Sequence, residues 1–275
     1  MRRNHLGGGL LAGSAALAVG FASPAHAGLT DAATFRNIAY TQTSGVAPTT
    51  PTGFFFSAGA DTAAAGDFDG ASLTYPGPGS PLTLPLVSPT EFLAQPGFPT
   101  KATMDAAFPF GSYVITATNS VTMTSQTATL SYTADAYTAD IPALTAASFA
   151  ALQGLDTTKP LTVQFNSFTP NPLATDAFTF FSVFGSSAGC GFLSPSSTSC
   201  TIAADALMPA TTYDFELDFD NRIQATVDGV LQGVNFDVRT DGSFTTAALP
   251  VPEPGGLLLL AGGLLGMALM RGRKA

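Results

Sequence analysis

Tryptophan is absent from this chain of 275 residues, and histidine occurs only at His5 and His26. Both histidines lie within the first 27 residues, a stretch with the layout of a removable leader. Without them the chain has no imidazole. That excludes Ser-His-Asp and Cys-His catalysis and every histidine-ligated metal site. Charge is also scarce, at 11% of residues, and one-sided. Residues 28–249 hold 5 basic and 18 acidic side chains, a net of −13 that repels phosphate backbones and excludes a nucleic-acid partner. Only Glu91 and Glu216 are glutamates there, and no S-x-x-K occurs, so neither a carboxylate-pair hydrolase nor a Ser-Lys dyad is supported. What is plentiful is apolar: 45% of the chain, with 22 Phe, 28 Gly and 20 Pro. Disordered chains are poor in apolar residues, so most of this one folds. Its length allows one large domain or two small ones.

The two ends read as addresses. Met1-Arg2-Arg3, an apolar run from Leu6 to Ala22, and Ala25-His26-Ala27 are the three parts of a secretory signal peptide, cleaved after Ala27. The residues around Arg2-Arg3 fit general secretion better than twin-arginine export. At the other end stands Val251-Pro252-Glu253-Pro254. Sixteen uncharged residues follow, Gly255 to Met270, and then Arg271-Gly272-Arg273-Lys274. This layout resembles the PEP-CTERM sorting signal of Gram-negative bacteria, and the resemblance covers only residues 250–275. It implies export, temporary anchoring in the inner membrane, and processing by an exosortase near the Pro-Glu-Pro motif. Proteins with this signal usually occur in species that make exopolysaccharide and surface matrix, so an exopolysaccharide partner is a further implication. Two prolines around one acid keep the chain extended there. Sixteen helical residues span about 24 Å, less than the roughly 30 Å hydrocarbon core, which makes 255–270 a marginal transmembrane helix. The basic residues after it hold that end in the cytoplasm.

Between the addresses, turn residues are dense and helical periodicity is rare. Ser44–Gly53, Pro76–Pro81 and Pro85–Pro99 read as loops. Strand patterns cover Tyr113–Thr118, Val121–Tyr132, Leu161–Phe168, Ala177–Phe184 and Tyr213–Phe219. Asp228-Gly229 between Arg222–Val227 and Val230–Val238 predicts a hairpin, and Thr240-Asp241-Gly242 predicts a turn into Phe244–Thr246. One short helix is expected near Ala146–Gln153, with Thr145 as N-cap and Gly154 at its end.

The fold class is therefore all-β, of the sandwich type. A proline turn leading through a hydroxyl residue to a tyrosine that opens a strand occurs twice, in Phe108–Ile115 and in Leu207–Phe215. The second copy, through Phe219, resembles the L-x-P-x-T-x-Y stretch of fibronectin type III and immunoglobulin-like sandwiches. That resemblance implies a tyrosine at a sandwich corner with its hydroxyl on backbone, and Phe165 in place of the usual core tryptophan. Two tandem units follow, 28–140 and 141–249; the rival is one irregular sandwich with long loops.

Cys190 and Cys200 are the only cysteines, and an exported body should pair them as a disulfide. Gly185-Ser186-Ser187-Ala188-Gly189 matches G-x-S-x-G but lacks a base and a helix to follow, so it reads as a loop. Asp214, Glu216, Asp218 and Asp220 alternate with apolar residues, which puts them on one strand face, expected to be solvated. Residues two apart on a strand stand ~6.6–7 Å from each other, too far to cage calcium without help from a neighbour. Gly66–Gly70 resembles part of a calcium loop, but Ala65 and Pro76 stand at two ligand positions. No catalytic residue and no cofactor is expected. Calcium at Asp67, Asp69, Asp218 or Asp220 is the alternative, paired with a glycan site built on Tyr40, Tyr75 or Tyr137.

Overall fold

In this computed structural model residues 28–249 are described; the expected signal peptide, sorting motif and transmembrane helix lie outside them. From Gly28 the chain forms β1 (Leu29–Gln42), β2 (Gly53–Thr62), β3 (Gly70–Thr74), β4 (Leu82–Leu84), β5 (Leu86–Ser88), β6 (Glu91–Ala94) and β7 (Gly97–Phe98). Helix α1 (Lys101–Ala107) and the hairpin strands β8 (Gly111–Asn119) and β9 (Thr124–Tyr132) follow. Next come α2 (Ala146–Leu152), β10 (Leu161–Gln164), β11 (Asp176–Val183), β12 (Gly189–Leu193) and β13 (Ser199–Ile202). Two 16-residue strands, β14 (Thr212–Val227) and β15 (Val230–Thr245), close the sequence of elements.

The large sheet runs β12-β11-β14-β15-β1-β2-β6-β5, with β7 also on β2. Its pairs are antiparallel except one: β1 lies parallel to β15 over the register Asp31↔Leu231 to Gln42↔Gly242. Strand residues alternate between faces. Odd residues of β14 and even residues of β15 and β1 point to one side, where two smaller sheets cover them. The sheet β4-β3-β8-β9 closes a core of Phe56, Leu73, Tyr113, Ile115 and Leu130 with Val230, Val234 and Phe236. The pair β10-β13 closes a second core of Val163, Phe165, Phe181, Phe215, Leu217 and Phe244. The all-β sandwich-like class is thus observed. The expected boundary at 140/141, however, is crossed by a continuous sheet, because the first strand of one half is sewn between β15 and β2.

Both tyrosines of the repeated motif hold their own approach turn. Tyr113 Oη donates to the Pro109 carbonyl at 2.7 Å, and Tyr213 Oη accepts from the Met208 amide at 2.8 Å. Phe165 is buried in the second core with its ring stacked 6.5 Å from Phe181. The Asp228-Gly229 turn joins β14 to β15 with φ of 51° and 84°, the left-handed pair that a two-residue hairpin turn needs. Helix α2 has Thr145 as its N-cap, accepting from the Ser148 amide, and Gly154 beyond its end at φ 74°.

Three expectations are corrected. Thr240–Gly242 is not a turn, since β15 runs through it. Gly242 is there for space: a Cβ would lie 2.3 Å from Phe215 Cζ and 3.0 Å from the Gln42 carbonyl. Residues 121–123 turn before β9 begins, and the Pro85–Pro99 stretch contains β5, β6 and β7. Strands β1 to β4, β12 and β13 and helix α1 were not anticipated at all. Helix α1 has only 7 residues, capped by a Thr100–Thr103 box. In β1, Thr34, Arg36 and Gln42 face the core. Arg36 is 1% exposed and donates to the Phe108 carbonyl at 2.7 Å and to Asp105, with its guanidinium 4.4 Å from the Tyr132 ring centre. Gln42 pairs both ways with the Leu144 backbone, at 3.0 and 2.9 Å.

Candidate functional site

The other face of the large sheet carries the acids. Even residues of β14 and odd residues of β15 and β1 point there, in rows across the strands. Asp220 faces Asp237, which faces Asn37. One row away, Asp218 faces Arg239; beyond that, Glu216 faces Asp241. On the opposite side, Asp176 faces Arg222, which faces Asn235. Phe178 and Phe180 of β11 border the rows on one side, and Phe35 and Phe55 of β1 and β2 on the other. The face is not the solvated surface that strand alternation suggested. Glu216 is 8% exposed and Asp220 5%, and Asn37 and Asn235 are buried too. Ala33 and Ala39 of β1 are buried on the same face, opposite Gly233 and Arg239 of β15.

Two arginines answer part of this charge. Arg239 Nη1 donates to Glu216 Oε2 at 3.1 Å, and its Nε lies 3.3 Å from Asp241 Oδ1. Arg222 Nε donates to Asp220 Oδ2 at 3.3 Å, and its guanidinium stacks 4.1 Å from the centre of the Phe178 ring. Asn37 Nδ2 donates to Asp237 Oδ2. The remaining oxygens, Oδ1 of Asp218, Asp220, Asp237, Asn37 and Asn235, are buried with no hydrogen-bond partner. Burial, then the charges of Asp237 and Glu216, push the Asp218 carboxyl well above the usual range. Burial and Asp220 do the same to Asp237. Asp220 rises to about 6, through burial that Arg222 only partly opposes. Burial pulls the Arg239 guanidinium down, but the carboxylates of Asp218, Asp241 and Glu216 outweigh it and hold the group protonated. Beside the rows lies a small cavity of about 50 Å³, lined by Asp31, Phe35, Arg222 and Asn235 among others. There burial and Asp61 lift Asp31 to about 6.

The other sequence candidates lie elsewhere. Asp67 borders a surface cleft near Asp228, and Asp220 stands eight residues back along β14 from that turn, about 26 Å away. Asp67 Oδ2 accepts from the amides of Ala64 at 2.8 Å and Gly28 at 3.4 Å. Asp69 accepts from the Ser120 amide at 3.0 Å and from its hydroxyl. These two carboxylates tie loops together. Ser186 stands in the loop joining β11 to β12, where its hydroxyl donates to the Val183 carbonyl at 2.9 Å. The tyrosines proposed for a glycan platform are packed inward: Tyr40 and Tyr75 are buried, and Tyr137 lies edge-on against Phe236 at 5.3 Å. Cys190 and Cys200 form the expected disulfide, joining β12 to β13 with Cα atoms 5.8 Å apart.

No family model matches the chain, and no curated protein matches it. Among solved structures, the chain is similar to one described as "Structural insight into host cell surface retention of a 1.5-MDa bacterial ice-binding adhesin". The identity is 14% and the TM-score 0.25, over 80% of this chain and 66% of that one. An overlap that loose carries no inference about ligand or partner.

Asp237, Arg239 and Asn37 complete the rows and were missed in the sequence. For the first two a signal existed, since Asn235, Asp237 and Arg239 alternate with Val234, Phe236 and Val238 as the β14 acids do with their apolar neighbours. Asn37 had none, because only the parallel pairing of β1 with β15 places it there.

Proposed function

We propose that the chain is an exported, non-catalytic envelope or extracellular-matrix protein of a Gram-negative bacterium. Its PEP-CTERM-like tail directs transient inner-membrane anchoring and exosortase processing. The observation that carries the reading is the order Val251–Pro254, sixteen uncharged residues, then Arg271, Arg273 and Lys274. The body delivered is read as two immunoglobulin-like sandwich units fused through one sheet. Two separate cores and a corner tyrosine in each support that reading. The lack of histidine beyond residue 27 and the engagement of Ser186 by backbone support a non-catalytic body.

Replacing both Pro252 and Pro254 with Ala tests the sorting role. Alanine lets the anchor helix extend outward over the segment that a processing enzyme must grip. Export should persist while the protein stays in the inner-membrane fraction, read by fractionation with an antibody to the body. Processing and release like the unmodified protein would make Pro252-Glu253-Pro254 a mere linker.

A second reading, a calcium-dependent exopolysaccharide-binding module, is favoured in its calcium half by the unpartnered oxygens on the polar face. The burial of Tyr40 and Tyr75 counts against its glycan half, because sugar rings stack on exposed aromatic faces. An empty glycan array with and without calcium would remove it.

A further inference from the structure

Cleavage after Ala27 leaves Gly28 as the first residue, and the backbone of Gly28 is built into the fold. Its carbonyl accepts from the Ala63 amide at 2.9 Å, and the next amide, Leu29, donates to Gln126 Oε1 at 2.7 Å. Its own nitrogen donates to Asp67 Oδ2, but only at 3.4 Å. That oxygen is held in place by the Ala64 amide at 2.8 Å. Gly28 and Asp67 are both half-buried. They line the surface cleft at this end of the molecule, together with Gln126 of β9 and Asp228 of the hairpin turn. Asp67 and Asp228 are the charged groups of that lining, and no Lys or Arg is part of it.

Removal of the leader changes the chemistry of that nitrogen. Water adds its oxygen to the Ala27 carbonyl carbon as the C–N bond breaks, and both its hydrogens pass to the nitrogen. Ala27 departs as a carboxylate and Gly28 keeps an ammonium. As an amide, the nitrogen has one hydrogen, fixed in the peptide plane. As an ammonium it has three and a full charge, and it can turn one of them straight at Oδ2. Charge-assisted N–H···O bonds close to about 2.7–2.9 Å, so the long amide contact has room to tighten. The two acids of the cleft are then answered by a cation that processing itself creates.

Resting on the leader reading above, we propose that Asp67 is the receptor for the α-ammonium group of mature Gly28, an ion pair that locks the start of β1 to the loop between β2 and β3. Chain ends fray unless they are tied down. Strand β1 is also the one that joins the two halves, between β15 and β2. The uncleaved chain has the amide contact without the charge, so processing tightens this seam once the chain has been exported. Asp67, with Asp228 across the cleft, favours the charged form of the amine and raises its pKa. The pair therefore contributes fully below the ordinary α-amino value of about 7.7–8.0 and is lost as pH rises through the folded value.

The test uses the full chain, exported with its own leader and purified in detergent. N-terminal sequencing first fixes the starting residue, and a start other than Gly28 would overturn the leader reading and the ion pair together. Competitive acetylation across a range of pH, read by peptide mass spectrometry, then gives the titration of the Gly28 amine. It should titrate about one unit above the ordinary value, a screened version of the 1–3 units an adjacent opposite charge supplies. Near pH 7 it should label roughly 10-fold more slowly than in Asp67→Asn, which keeps an acceptor for the Ala64 amide and should fold. Asp69→Asn, whose carboxylate serves Ser120, should label like the unmodified protein. Asp67→Asn should also speed hydrogen exchange at the start of β1 in the mature chain, and have little effect in a precursor whose cleavage is blocked by Ala27→Leu. A start at Gly28 with equal labelling in the unmodified protein and in Asp67→Asn would overturn the ion pair alone. An equal change in Asp69→Asn would overturn it too, tracing the effect to the general acidity of the loop.

Discussion

Asp237 and Asp218 show what burial beside other acids does to a carboxyl. The pKa of each is raised by burial and by neighbouring acids, and Asp220 and Asp31 rise to about 6. A carboxyl that binds its proton more tightly folded than unfolded contributes stability below the unfolded value near 3.8. That contribution is lost as pH rises through the folded value. The opposite holds for Asp69, Asp135 and Asp156, whose lowered values contribute above 3.8 and fade only in stronger acid. The protein should therefore become more stable as pH falls from 7.5 to about 5. The gain is on the order of 2 kcal/mol, since each pKa unit is worth about 1.4 kcal/mol. Chemical denaturation at the two pH values would measure it. Asp31→Asn should flatten part of the rise, because it removes a group that Asp61 and burial push up and only Arg222 pulls down. A stability that falls steadily over that range would mean the acids are paired more fully than the structure shows.

Among the elements, β12 is the most dependent on a covalent tie. It is the outermost strand of the large sheet on its side, paired only with β11 and broken by a register shift near Ser182. The Cys190–Cys200 bridge fixes it to β13 in the smaller sheet above. Reduction should cost about 2.5–3 kcal/mol by the loop-closure argument, felt first at β12. Hydrogen exchange with and without reductant would test this; protection should drop at Cys190–Leu193 before it drops in β14. Uniform loss across the sheet would place the bridge in the global fold instead. The bridge was legible from compartment and spacing, as were the β14–β15 hairpin and α2, because local turn and cap residues announce them. Counting back from the two-residue turn at Asp228-Gly229 also brings Asp220 opposite Asp237, so that pairing is written in the sequence itself. Strand β1 was not legible for the opposite reason. Its core face carries Arg36 and Gln42, whose partners Phe108, Asp105 and Leu144 lie about 70 to 100 residues away. No local pattern encodes that.

Across the whole molecule, the parallel β1–β15 pair decides whether the two halves are separable. Strand β1 belongs to the first half, yet its neighbours are β2 on one edge and β15 on the other. The first core takes Val230, Val234 and Phe236 from the second half, and Tyr132 packs on Phe236 with ring centres 5.6 Å apart. Residues 28–140 alone would leave that core open. Residues 141–249 alone would leave β15 as a bare edge of 16 residues, with its acids exposed on one face and half its apolar row uncovered on the other. Long unpaired edges of that kind associate rather than fold. Each fragment produced by itself should thus lack a cooperative thermal transition by circular dichroism, whereas co-expression should restore one, because strand pairing across the cut supplies what each half is missing. If 141–249 melts cooperatively alone, with dispersed amide resonances, the β1–β15 pairing is an accessory seam and 140/141 is a true domain boundary.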